Sequence, residues 1–360
     1  MMRRRQHIAL ETIQRVLIIR LSSLGDILLT TPIVRLIRQH CPQARIDFVM
    51  KAAYRDLLRE HPCVDRLLLV HDAQTLRQTL YSLRQTRYDV VLDLQRTLRS
   101  RLLYMGSSAR YKLAYNKRTL RRALLVHLGW NTLRALTPVP ELYATPLRHL
   151  GIEAPLPRLE MFLAPGSQET LRAYVARLLP EGCDRPWLAV APGASWPTKR
   201  WPVERFASVA QEVAYTHQAA VVILGSADDT PLARQLCQRL SVPVVDCTGQ
   251  FTLMQTAALL QQCRMLVSND SGLMHMAVAL QVPVVAIFGP TVEEFGFYPF
   301  RARAQVVSTA LSCRPCSTKG SRRCPRGHHQ CMQHVTCAQV ASVVHALWQG
   351  EGGWHDQAAL

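Results

Sequence analysis

Three short turns in the 360-residue chain carry side chains suited to chemistry, each set between an apolar run and a helical pattern. The last, Asn269-Asp270-Ser271-Gly272-Leu273-Met274-His275, follows Met265-Leu266-Val267 and opens a helically spaced run of Leu273, Met276, Ala277 and Leu280. That order reads as strand, tight turn and helix start within a parallel βαβ unit. Asn, Asp, Ser and Gly cap helices and let the first backbone N–H groups face a ligand. A helix start beside a strand end is a ready anion site. Asp270, Ser271 and Gly272, with Leu273 beside them, are therefore candidate phosphate contacts. His275 falls in the first turn of the same helix. A lone helical histidine is ordinarily structural, but its place at a ligand-facing helix start favours function.

The second turn is Pro192-Gly193-Ala194-Ser195-Trp196-Pro197-Thr198-Lys199-Arg200-Trp201-Pro202. Ser195 and Thr198 offer hydroxyls and Lys199 a point charge, which suits a diphosphate whose charge grows as it leaves. The plain alternative is an exposed loop with a chance Lys-Arg pair. The first turn is Ser22-Ser23-Leu24-Gly25-Asp26. It is neither Gly-x-Gly-x-x-Gly nor followed by a Walker lysine, so it argues against a dinucleotide or P-loop site. It offers one carboxylate, which is either a helix cap or a general base within reach of an acceptor hydroxyl. Asp228, in Gly225-Ser226-Ala227-Asp228-Asp229, follows a glycine turn at a strand end. It suits ribose hydroxyls or a bare cap equally.

Eleven cysteines are present. Cys41, Cys63, Cys183, Cys237, Cys247 and Cys263 are scattered in apolar or helical text and read as reduced core residues. Cys313-x2-Cys316, Cys324, Cys331 and Cys337, near His328 and His329, form a late cluster. Cys-x2-Cys is a metal-ligand spacing, and four thiolates suit a structural zinc. No second knuckle follows, so reduced packing or redox-sensitive thiols stay open. No catalytic role and no metal is assigned to the cluster.

The turns need a scaffold that presents strand ends. Val16–Ile19, Ile46–Met50, Leu67–Val70 and Asp89–Leu94 read as strands alternating with helical patterns, with Pro32 beginning or kinking the first helix. Proline-rich text from Thr137 to Gly166 places a junction near 155–170. Trp187–Ala191, Ala219–Leu224, Val242–Val245, Met265–Val267 and Pro283–Phe288 repeat the alternation. The reading is a basic lead-in over 1–14, an α/β domain over 15–165 and a second over 166–334. A helix and tail over 335–360 are expected to cross back to the first domain. Two doubly wound, Rossmann-like domains facing across a cleft would bind ligands at the carboxyl ends of their strands.

The net charge is +18, and no acid occurs between Asp93 and Glu141 or between Glu294 and Glu351. Such fields attract polyanions, among them phosphorylated metabolites, nucleic acid and anionic membrane faces. No apolar run reaches the ~18 residues of a membrane span, and no signal-peptide core follows Arg3-Arg4-Arg5. The expectation is a cytoplasmic protein, able to touch the cytoplasmic face of the inner membrane peripherally. No nucleic-acid module or interleaved aromatic pattern is present, so nucleic acid is not an expected partner.

Taken together, Arg15–Asp26, Ala191-Pro192-Gly193-Ala194-Ser195 through Lys199-Arg200-Trp201-Pro202, and Ser268–His275 resemble glycosyltransferase family 9, the lipopolysaccharide heptosyltransferases. The resemblance runs from about Val16 to Trp348, and its specificity lies in the order and spacing of the three pieces. The cysteine loop also looks like one found in some members. The resemblance implies a GT-B fold and inverting transfer of heptose from ADP-heptose to the lipopolysaccharide inner core, without metal or cofactor. By matching positions, Asp26 would be the base. Ser195, Lys199, Asp270, Ser271, Gly272, Leu273 and His275 would hold the donor, with Asp228 near the ribose. Ser23, Gly25, Arg96, Arg99, Arg101, Lys112 and Arg118, in the first half, would meet the anionic acceptor. A relative using another nucleotide sugar, a nucleotide-sugar epimerase and a basic nucleic-acid-binding protein are the alternatives.

Overall fold

The computed structural model describes residues 9–133, 136–178 and 184–351. The first eight residues of the expected lead-in, Arg134, Leu179, Cys183 and the tail from 352 lie outside the described residues. The chain divides into two compact units. One holds the residues up to Lys117 together with Val139–Phe162; the other holds Arg118–Pro138 and everything from Leu163 onward. The division is thus not a single cut, because the stretch after Lys117 groups with the second unit and the chain then returns to the first.

The first unit contains β1 (Arg15–Ile19), α1 (Leu24–Leu28), α2 (Thr31–His40), β2 (Arg45–Lys51), β3 (Arg66–Val70), α3 (Ala73–Gln85), β4 (Arg87–Asp93), α4 (Leu98–Gly106) and β5 (Ser108–Ala114). Its five strands are parallel in the order β3-β2-β1-β4-β5. In β1, Val16, Leu17, Ile18 and Ile19 are all buried, the continuous apolar run of a strand covered on both faces. Pro32 is the second residue of α2, where its missing N–H costs nothing. Leu17 and Ile19 pack with Leu83 of α3, Tyr88 of β4 and Leu103 of α4 in one apolar cluster.

The second unit begins with α5 (Thr119–Leu128); α6 (Val139–Ala144) follows in the chain but belongs to the first. Then come α7 (Ser167–Leu178), β6 (Trp187–Ala191), α8 (Val203–Thr216), β7 (Ala220–Ile223), α9 (Thr230–Cys237), β8 (Val244–Asp246), α10 (Leu253–Gln261) and β9 (Met265–Asn269). The unit closes with α11 (Gly272–Ala279), β10 (Val284–Phe288), β11 (Ala304–Ser308), α12 (Gln330–Gln333) and α13 (Cys337–Gln349). Its six parallel strands run β11-β10-β9-β6-β7-β8. α13 packs on α8 through a cluster holding Phe206, Val213, Val340, Val344 and Leu347. Its C-terminal carbonyls at Leu347 and Trp348 accept from Arg303 (2.9 Å) and Arg264 (3.0 Å), cations suited to a helix C-terminus.

Each sheet reverses strand order once, at β1/β4 in the first unit and at β6/β9 in the second. Open parallel sheets bind ligands outside the carboxyl ends of the strands flanking such a reversal. Ile19 lies level with Asp93 and Ala191 with Ser268. The turn bearing Asp26 therefore leaves the sheet next to the turn bearing Arg96. Likewise, the loop bearing Lys199 leaves next to the turn bearing Asp270.

Candidate functional site

In the first unit the β1–α1 turn is held from beneath. Gln95 accepts from Leu21 N (2.5 Å) and donates through Nε2 to Ser22 Oγ (3.3 Å). Asp93, fully buried, accepts the N–H groups of Gln95 (2.9 Å) and Arg96 (3.0 Å) and the Ser100 hydroxyl (3.1 Å). On this base stands an ion pair, Arg20 Nη2 to Asp26 Oδ1 at 2.7 Å. Asp26 Oδ2 accepts from Ser23 Oγ at 2.7 Å, and Tyr143 Oη donates to Oδ1 at 3.5 Å. Arg20 also donates to Leu94 O and lies over the Tyr143 ring.

Asp26 thus takes part in a capping box and in an ion pair. Burial alone would raise its carboxyl, but the Arg20 guanidinium and the Ser23 hydrogen bonds outweigh that. They hold it below the ordinary aspartate value. The carboxylate keeps 22% exposure while Arg20 keeps 7%. A buried cation therefore fixes the charge of a carboxylate that remains reachable.

The basic residues named with it are dispersed. Arg96 is exposed at the β4–α4 turn, and Arg99 and Arg101 are exposed on α4. Lys112 donates to Met105 O at the end of α4 (2.9 Å). Arg118 groups with the second unit and donates to Thr137 Oγ1 (3.3 Å). Ser23 is exposed, and Gly25 is buried in α1.

In the second unit Lys199 Nζ lies 2.5 Å from Asp270 Oδ2, both largely buried. Thr291 donates to the same oxygen at 2.8 Å. Asn269 ties the two turns together: its Oδ1 accepts from Trp201 N (3.0 Å) and its Nδ2 donates to Pro192 O (2.8 Å). Ser271, the N-cap of α11, has its hydroxyl 3.0 Å from that of Ser268. Gly272 and Leu273 are the first two residues of the helix, where N–H groups have no intrahelical acceptor. His275 is buried on its next turn. Ser195 is exposed on the β6 side of the loop.

Asp228 is exposed. Its neighbour Asp229 is the one turned toward the loop. A Cβ on Gly193 would lie 2.2 Å from Asp229 Oδ1, and Arg200 approaches that oxygen at 3.9 Å.

The cysteine loop between β11 and α12 braces these groups. Ser321 O accepts from Thr198 Oγ1 (2.9 Å), Ser321 N donates back to it (2.8 Å), and His329 Nε2 donates to Thr198 O (2.8 Å). Arg314 donates to Thr291 O (2.8 Å). Gly320, at φ +98°, lets the loop pass within 2.7 Å of Trp196 as a Cβ would measure it, and Lys319 sits over the Trp196 ring. One segment thus holds Thr291 and the residue just before Lys199. Cys313, Cys316, Cys324 and Cys331 are free thiols near enough to act on one another electrostatically, and burial pushes Cys331 up to about 11. Among the described residues no group of three or more His, Cys, Asp or Glu side chains converges as a metal site. Arg20 lies within the Arg15–Asp26 motif, which gives it no role; Gln95, Thr291, Arg314 and Ser321 carry no motif of their own, and only the tertiary contacts single all five out.

The sequence profile of glycosyltransferase family 9 (heptosyltransferase) matches residues 76–325. Lipopolysaccharide heptosyltransferase 2 of Escherichia coli is 28% identical, over 92% of this chain and 98% of that protein. Lipopolysaccharide heptosyltransferase 1 of Pseudomonas aeruginosa is 30% identical, over 85% of this chain and 86% of that protein. The solved structure of E. coli ADP-heptose lipopolysaccharide heptosyltransferase II superposes with a TM-score of 0.73 at 25% identity, covering 94% of this chain and 99% of that one. Two parallel doubly wound sheets with these likenesses make the fold GT-B and the protein a glycosyltransferase. The chain belongs to glycosyltransferase family 9, the heptosyltransferase family.

Proposed function

We propose that the protein transfers heptose from ADP-heptose to the lipopolysaccharide inner core, inverting the anomeric centre without a metal. The observation that carries this reading is the complementary pair of sites at the two strand-order reversals. One holds an ionised carboxylate; the other holds a lysine beside a helix start. Support for the donor comes from the E. coli relative, an ADP-heptose lipopolysaccharide heptosyltransferase. The relatives include heptosyltransferases 1 and 2, so Kdo-lipid A and heptosyl-Kdo-lipid A are both acceptors to test.

In this mechanism Asp26 takes the proton of the acceptor hydroxyl as its oxygen bonds to the heptose anomeric carbon. The bond from that carbon to the diphosphate breaks, and its electron pair leaves with ADP. Lys199 and the N–H groups at Gly272 and Leu273 stabilise the growing negative charge. Asp270 and Thr291 orient the lysine, Ser195 and His275 line the phosphate and sugar, and Asp228 or Asp229 meets the ribose. Ser23, Gly25, Arg96, Arg99, Arg101, Lys112 and Arg118 belong to the acceptor side. A lipid-anchored acceptor also implies peripheral contact with a membrane.

The test offers purified protein a panel of ADP- and UDP-sugars with each acceptor and reads the product by mass spectrometry. Heptosyl product from ADP-heptose is expected. A panel in which only another nucleotide sugar is consumed would replace the donor assignment.

Two further outcomes follow from the contacts. Asp26 is held ionised by Arg20, so its acid limb in the pH–rate profile is expected below the ordinary aspartate range. Arg20→Met leaves burial unopposed by that cation, so the carboxyl pKa rises and the limb moves to higher pH. An unmoved limb would remove Arg20 from control of the base. Thr198→Val deletes the hydroxyl that clasps Ser321, loosening the turn before Lys199. ADP affinity is expected to fall roughly 5- to 10-fold, the scale of one lost buried hydrogen bond, with Thr198→Ser restoring it. Calorimetric titration with ADP measures both variants.

A further inference from the structure

We propose that α4 is an interfacial helix by which the first unit docks on an anionic lipid bilayer. Single exposed apolar side chains are ordinary, but a grouped set marks an interaction surface. Leu98, Leu102 and Met105 are 77, 51 and 71% exposed. Their spacing of i, i+4 and i+7 puts them on one face of the helix. The opposite side is the packed one, with Ser100 and Leu103 buried. Tyr81, 66% exposed, lies on α3, which packs against α4.

The charge along α4 and its flanking chain has one sign. Arg99 and Arg101 are exposed on α4, Arg96 precedes it and Arg110 follows. No acid occurs from residue 94 to 140. Among the described residues, seven of the eleven exposed large hydrophobic side chains fall inside this acid-free stretch. Protein-binding surfaces ordinarily mix charge signs around an apolar centre, whereas apolar side chains flanked only by arginines suit the boundary of an anionic bilayer. The side chains enter the acyl region there, and the guanidinium groups meet lipid phosphates. The second unit has its own exposed set in the same stretch, Leu120, Leu128 and Trp130, which serves as an internal comparison. The proposal extends the functional reading, since a lipid-anchored acceptor lies in such a bilayer.

The test is flotation of the full chain with vesicles of phosphatidylcholine alone or mixed with phosphatidylglycerol, with no sugar donor present. Binding to the mixed vesicles, weakened by salt, and little binding to the neutral ones are expected. Leu98→Asn with Leu102→Asn and Met105→Gln, all at exposed positions, should reduce that binding at least about 10-fold. The same variant should keep wild-type transfer to a deacylated, water-soluble acceptor. A variant that still floats like wild type would overturn the assignment. So would loss of flotation only on Leu120→Asn with Leu128→Asn and Trp130→Gln, or a wild-type dimer that the α4 changes dissociate. Vesicle binding without glycosyl transfer would count against the proposed activity and leave the docking face standing.

Discussion

Asp26→Ala is expected to lower heptosyl transfer by about 10²- to 10⁴-fold, the range for loss of a positioned general base, while ADP-heptose binding changes by less than about 2-fold. The expectation follows from separation of roles. Asp26 lies in the first unit, with Arg20, Ser23 and Tyr143 around it, and the nucleotide contacts proposed above lie in the second. The carboxylate is also the partner of a buried guanidinium. Removing it leaves that charge uncompensated, at a cost of roughly 3–5 kcal/mol when a buried pair is broken. Asp26→Asn keeps a hydrogen-bonding group but not the base, so it is the sharper variant. The measurements are single-turnover transfer and ADP-heptose titration on protein whose thermal unfolding has been checked. If donor affinity fell in step with turnover, Asp26 would be acting as a structural cap.

Lys199→Ala is expected to weaken ADP binding by roughly 10- to 100-fold, from the loss of a charge-assisted hydrogen bond worth about 1.5–3 kcal/mol. It should lower turnover further, because the leaving diphosphate carries more charge in the transition state than in the bound donor. The ammonium lies 2.5 Å from Asp270 Oδ2. It has three donors, so the pair with Asp270 aims the remaining N–H groups rather than consuming them. Calorimetric titration with ADP, alongside kcat for the donor, separates the two effects. Unchanged ADP affinity would remove Lys199 from the site. Loss in Lys199→Ala without loss in Thr198→Val would keep the lysine and discard the brace from the cysteine loop.

The central strands were legible because their text is continuously apolar: Val16–Ile19, Trp187–Ala191 and Val284–Phe288 are each buried along their length. Of the edge strands, β3 and β8 were legible, as Leu67–Val70 and Val242–Val245, but β5 and β11 were not. β5, Ser-Ala-Arg-Tyr-Lys-Leu-Ala, alternates basic and apolar residues within the basic window, and β11, Ala-Gln-Val-Val-Ser, has Gln305 second and an exposed serine at its end. Periodicity is weakest where one side of a strand is uncovered.

The turns told a similar story. Lys199 and Asp270 each stood out by residue type, but 71 positions separate them, and their ion pair follows from β6 lying beside β9. Arg20 at a strand end looks in sequence like a solvated terminus; only the fold turns it under Asp26. Asp228 and Asp229 are indistinguishable by motif, and the Ser226 N–H and hydroxyl, which donate to Asp229 Oδ2, hold the second beside Gly193. The cysteine spacing drew attention to sulfur, whereas the residues of that loop that touch the site are Arg314, Ser321 and His329.

The stereochemistry of a single transfer reaction probes the proposed division of labour most directly. Wild-type protein would be given ADP-heptose of defined anomeric configuration and the acceptor it uses, in the presence of a metal chelator, and the product heptosyl linkage read by NMR. A new heptosyl residue of opposite configuration to the donor is expected, as one base and one leaving-group site require. A product that retains the donor configuration, or no heptosyl product from either Kdo-lipid A or heptosyl-Kdo-lipid A, would contradict it.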